Sequence, residues 1–144
     1  MKRAKFILAA VCTIFVAMLV TGCLNAAGDD VSGTTSGTWY SYEATINDIP
    51  YHFNASGTCT DNVSESTKNF VEDLFIKFTL TSDGHYTSYI TGGYELWSEN
   101  VAEACTYTLR GDTLTISTGL VCTASGDEYT AISMGQNYKF KKVN

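Results

Sequence analysis

Residues 105–117 read "CTYTLRGDTLTIS", and this stretch decides the fold class. Tyr107 and Leu109 alternate with polar residues before the tip "RGDT", and Leu114 and Ile116 do so after it. Period-two alternation interrupted by a short polar tip marks two antiparallel strands, and Gly111 supplies the backbone freedom that the tip requires. The pattern predicts a β-hairpin whose four apolar side chains share one face.

The same signal recurs in both directions along the chain. "TWYSYEATI" (38–46) places Tyr40, Tyr42, Ala44 and Ile46 on one face, and after the turn "NDIP" Tyr51, Phe53 and Ala55 alternate again. "FIKFTL" (75–80) and "HYTSYI" (85–90) flank the Asp83-Gly84 turn, and "YELW" (94–97) offers a further strand. After a loop around "TASGD" (123–127), "EYTAISM" and "NYKFKKV" give a last pair joined at Gly135. Only "ESTKNFVEDLF" (65–75) breaks the alternation. Its Phe70 with Leu74 and Val71 with Phe75 fit one short helix. Nine Tyr, seven Phe and a single Pro are what half-buried pleated surfaces select. Eight or nine short strands joined in sequence leave exposed edges, which closing the sheet removes. The expectation is an all-β fold: an antiparallel up-and-down β-barrel of about eight strands with one short helix, formed by residues 37–144 as one domain.

The N-terminal segment has a different grammar. Lys2, Arg3 and Lys5 precede an uncharged apolar stretch from Ile7 to Val20, the arrangement of an export signal. A membrane span needs about twenty apolar residues, and this run is shorter. Its end, Val20-Thr21-Gly22-Cys23, resembles the box of bacterial lipoproteins, in which a peptidase cuts before a cysteine carrying a diacylglycerol. The resemblance implies that residues 1–22 are a lipoprotein signal and that Cys23 is the lipidated N-terminus. Leu24 in place of Asp points, by the same resemblance, to the outer membrane or cell surface rather than the inner membrane. Residues 23–36, small, polar and Gly-rich, read as a flexible tether.

Loss of Lys2, Arg3 and Lys5 leaves six of nine Lys+Arg against all fifteen Asp+Glu, a formal charge of −9. That balance argues against nucleic acid as a partner, since phosphate backbones need Lys and Arg to displace counterions. Beyond Cys23 the cysteines of the barrel region are Cys59, Cys105 and Cys122. Cys105 and Cys122 flank the central hairpin and are the preferred disulfide pair, although register does not set them directly opposite. There is no metal-ligand spacing, no G-x-S-x-G, no H-E-x-x-H and no phosphate loop. No cofactor, metal or catalytic residue is expected, and the chain reads as a monomeric binding protein rather than an enzyme.

With the strand order established, Gly37-Thr38-Trp39 gains meaning. It resembles the G-x-W opening of lipocalins, and "SDGHY" with "YTLRGDTLTIS" resembles hairpins of small bacterial lipocalin-like lipoproteins. In that family the Trp packs across the closed end of the barrel against an arginine of the last strand; here the last strand carries lysines. "GGYELWSENVAEA" (92–104) is similar to a segment of periplasmic lysozyme-inhibitor lipoproteins, which implies a filled barrel that displays loops to a protein. Tyr40, Tyr42, Tyr51 and Phe53 from the first hairpin, with Phe78, Tyr86, Tyr107 and Tyr138 from later strands, are expected to face the interior. There they either fill the barrel, the default at this size, or line a cup for a small amphipathic or apolar ligand.

Overall fold

The computed structural model describes residues 35–144. The segment read as an export signal, Cys23 and most of the segment read as a tether lie outside the described residues. The fold is all-β, antiparallel and barrel-like. In chain order the elements are β1 (Gly37–Ile46), β2 (Ile49–His52), helix α1 (Glu65–Glu72), β3 (Ile76–Leu80), β4 (Tyr86–Thr91) and β5 (Tyr94–Glu95). A 3-10 helix (Glu99–Ala104) leads into β6 (Tyr107–Arg110), β7 (Thr113–Ile116), β8 (Val121–Ser125), β9 (Glu128–Ser133) and β10 (Gln136–Lys142).

One sheet runs β5-β4-β3-β1-β10-β9-β8-β7-β6, with β2 also on β1. Its two sides meet where His85 stands opposite Thr106, with the Tyr86 N–H donating to the Cys105 carbonyl at 2.9 Å and the Tyr107 N–H to the Gly84 carbonyl at 2.8 Å. Around the resulting ring each main strand lies beside its sequence neighbour, as in an up-and-down barrel. The seam between β4 and β6 is narrow, because β5 pairs with the other half of β4 through Ile90 and Thr91.

The central hairpin forms as its pattern predicts, with Tyr107 opposite Ile116, Leu109 opposite Leu114, and Gly111 at a φ of 60° in the tip. The first turn is tighter than "NDIP": Asn47 and Asp48 carry it with φ of 50° and 65°, and Ile49 is already paired with Ile46. Two positive φ values in a two-residue loop match the twist of the flanking strands, and Asn and Asp tolerate them. Helix α1 starts at Ser64, whose side chain accepts the Thr67 N–H, and it buries Val71 completely while Phe70 stays outside.

Two strand readings change. β8 occupies Val121–Ser125, where the sequence read as loop, and its inward residues are the small Cys122 and Ala124. β1 carries one extra residue opposite β10: Ser41 faces Phe140 and Glu43 faces Lys139, leaving Tyr42 unpaired between them. Such a bulge shifts the face on which later residues point. Trp39 and Ser41 therefore share the interior with Ala44 and Ile46, and Tyr40, expected inside the barrel, lies on the other face of β1, where it is still buried, against Phe75 and beside its register partner Lys141.

The same point is where β1 changes neighbours. Gly37–Tyr40 pairs with β3 and Glu43–Ile46 with β2. The N–H of Ile76 would be stranded at this junction, and the hydroxyl of Ser41 accepts it at 2.9 Å; the Tyr42 carbonyl accepts the Phe53 N–H at 2.9 Å. Below the junction the barrel centre is solid. Phe78, Phe140, Tyr138 and Tyr89 stack at centroid distances of 5.4 to 6.2 Å, and such aromatic pairs add about 0.5–1.5 kcal/mol each beyond burial.

Ser41→Ala removes the acceptor and leaves a buried N–H unpaired, a loss of about 1–3 kcal/mol. It should appear as a lower urea midpoint with an unchanged slope.

Candidate functional site

At the end of the barrel where β1 begins and β10 finishes, the packed centre gives way to a cleft of about 720 Å³. Trp39, Leu109, Ala124 and Tyr129 line it with apolar surface, and the hairpin tips at Gly111 and Gly126 stand at its edge. The polar groups of its floor bond to one another. The Trp39 indole N–H donates to the Thr35 carbonyl at 2.8 Å, the Thr35 hydroxyl lies 3.3 Å from the Tyr129 hydroxyl, and the two rings meet edge to face at 4.7 Å. Trp39 is held at 5% exposure by these contacts.

Charge gathers at the rim in Asp127, Glu128, Lys141 and Lys142. Lys142 stands opposite Trp39, and its stem passes so close to Gly37 that a Cβ there would lie 2.5 Å from Cε. Glycine at the first position of G-x-W thus makes room for the last strand's lysine. Lys141 sits over the rings of Tyr40 and Tyr42 at 5.6 and 5.0 Å. The Tyr42 hydroxyl donates to Glu128 at 2.9 Å, and burial together with that carboxylate pushes its phenol up to about 12.

The tyrosines expected to line a cup do other work. Tyr40 and Tyr42 are outer-face platforms for Lys141. Phe53 packs on Phe75, which also touches Tyr40, and Tyr51 lies opposite Ala44. Phe78, Tyr86 and Tyr107 are buried core, the Tyr107 hydroxyl donating to the Thr81 carbonyl at 2.5 Å. Tyr138 alone reaches a cavity, a smaller one of about 390 Å³ at the opposite end, where it joins Tyr89, Ile76 and Leu120. None of the eight lines the large cleft. Tyr129 and Ala124 do, and the alternation of Tyr129 with Ala131 in "EYTAIS" was the available signal for the first.

The expected Cys105–Cys122 bridge is corrected: Cys59, Cys105 and Cys122 are free thiols, each buried. Cys105 leads into β6 and Cys122 lies on β8, with β7 between them. Two strand spacings are about 9.5 Å, beyond the roughly 7 Å Cα separation that a disulfide tolerates. Among the described residues no group of His, Cys, Asp and Glu is arranged to hold a metal ion. His52 lies between carboxylates on the outer face, with Nδ1 3.0 Å from Asp61 and Nε2 3.6 Å from Glu43. Partial burial opposes ionisation of Asp61, but hydrogen bonds from the His52 backbone and ring outweigh it and hold the carboxyl below its usual range.

Burial pushes the Cys122 thiol up to about 12. A group whose folded pKa is raised contributes stability that is complete below its unfolded pKa, about 8.5 for a thiol, and is lost as pH rises toward the folded value. Tyr86, Tyr89, Tyr107 and Tyr138 are also raised, chiefly by burial. The urea midpoint should therefore hold to about pH 8.5 and fall steeply toward pH 12, while thiol reagents at neutral pH label these cysteines only after unfolding. No protein-family model, no curated protein and no solved structure matches this chain.

Proposed function

We propose that this chain is an exported protein, lipid-anchored through Cys23 at a cell-envelope membrane, whose barrel binds a small amphipathic molecule in the cleft above Trp39 without acting on it chemically. The observation that carries the reading is the cleft itself. A volume of about 720 Å³ over an apolar floor of Trp39, Leu109, Ala124 and Tyr129, with charges confined to the rim, suits a ligand that has an apolar body and a polar head. The floor's own polar atoms are bonded internally, so an apolar body meets no unsatisfied donor from the Trp39 indole.

The chain enters the domain at this same end, since Thr35 lines the cleft. Twelve residue steps separate Cys23 from Thr35, a reach of about 40 Å at full extension. An anchor at Cys23 holds the cleft close to the bilayer, where amphipathic molecules concentrate, and each buried methylene of the anchor's acyl chains adds about 0.8 kcal/mol to membrane binding. A Cys23→Ala form that still partitions with membranes would remove the anchor from this reading.

Binding is tested with dodecanoate, dodecyltrimethylammonium and dodecyl maltoside, which share a tail and differ in head charge. With Trp97→Phe as background, Trp39 is the reporter, and saturable change in its emission is the expected result. Ala124→Phe, which fills the cleft from β8, should weaken binding roughly tenfold or more, a loss of about 1.4 kcal/mol. Undiminished binding in that variant would exclude the cleft.

A further inference from the structure

The opposite mouth of the barrel carries a second feature that the cleft does not explain. Its cavity of about 390 Å³ is walled by Leu74, Ile76, Tyr89, Leu120 and Tyr138, and large apolar side chains stand open around it. Met134 is 91% exposed and Leu96 48%, both lining the cavity, with Tyr94 on β5 76% exposed and Ile132 on β9 74% exposed. Exposed apolar side chains scattered singly are ordinary, but a cluster beside an apolar pocket marks an interaction surface. Met134 adds a conformational oddity. It holds a φ of 51° at the tip of the β9–β10 hairpin, where the other positive-φ non-glycine residues of the described chain are the usual turn formers Asn47 and Asp48. An unbranched thioether is thus presented to solvent at a position that favours Asn or Gly.

The charge around this mouth has one sign. Among the described residues Asp73 lines the cavity and no lysine or arginine does. Glu95 lies on β5, and Glu99 and Glu103 lie on the 3-10 helix that follows. Among the described residues Arg110, Lys141 and Lys142 belong to the other end, Lys139 is paired with Glu43, and Lys77 donates to the Ala55 carbonyl; Lys68, on α1, is not among the lining residues. We infer that this mouth docks a cationic segment of another polypeptide, seating one large apolar side chain in the cavity between Leu96, Leu120 and Met134 while its lysines or arginines meet Asp73 and Glu95. A second copy of this chain would bring like charges together at the same place, and an anionic lipid surface would be repelled by them. The mouth lies at the end away from Thr35, so docking leaves the cleft untouched.

The test holds the full chain in phosphatidylcholine nanodiscs and titrates a labelled lysine-rich peptide with one central phenylalanine, reading fluorescence anisotropy against empty discs. Saturable binding is expected, weaker by roughly tenfold when the phenylalanine becomes glycine and weaker in high salt. Leu96→Ser with Met134→Ser, exposed positions whose change spares the core, and Asp73→Asn with Glu95→Gln should each cause a similar loss. Dodecanoate binding should be unchanged in all four substitutions, which separates this site from the cleft. Equal binding of a glutamate-rich counterpart, undiminished binding in the variants, self-association in sedimentation that the serine variants abolish, or preferential binding to phosphatidylglycerol vesicles would each overturn the inference.

Discussion

β1 has to serve three neighbours with ten residues, and the way it does so governs the rest of the molecule. On one side it pairs with β10 along nearly its whole length; on the other it pairs first with β3 and then with β2. A strand that changes partners midway strands backbone groups at the changeover, and a buried orphan N–H is too costly to leave. Ser41 solves this with a hydroxyl in place of the missing strand, and the extra residue at Tyr42 bends the ladder so that the chain follows both neighbours. Because the bulge also resets the alternation, the same residue decides that Trp39 floors the cleft and that Tyr40 and Tyr42 become outer-face platforms for Lys141.

That dependence explains which features were legible in the sequence. Hairpins with their own turn chemistry, such as Tyr107–Ile116 around Gly111, are local and were readable, as was helix α1, whereas about eight strands were expected and ten form. The faces of β1 were not, because a period-two reading assumes an unbroken pleat and nothing in "WYSYE" announces an extra residue. β8 escaped because its inward side chains, Cys122 and Ala124, are too small to give an apolar alternation. Those small residues leave space: Ala124 opposite Tyr129 is part of why the cleft exists. The cleft was illegible for the same reason that β8 was, since a void is written in the absence of bulk.

Interior and ends follow different rules in this barrel. The middle is filled by Phe78, Phe140, Tyr89 and Tyr138, as expected for a barrel of this width whose side chains meet across the axis. At each mouth the ring of strands outruns the aromatic fill, and hairpin tips enclose space instead of packing it. The two mouths differ in charge as well as volume: one is rimmed by paired and stacked lysines and carboxylates, the other by carboxylates over bare apolar surface. A single packed plug thus gives one small domain two chemically distinct openings.

The contact between β1 and β10 has a consequence for the chain as it is made. Trp39 and Lys142 are neighbours in space yet separated by about a hundred residues of synthesis, which at ~5–20 residues per second is roughly 5 to 20 s. Until β10 emerges, β1 has no partner for its longest ladder and the ring cannot close. Closure therefore waits for the far end of the chain to arrive. That delay is built into the strand order itself.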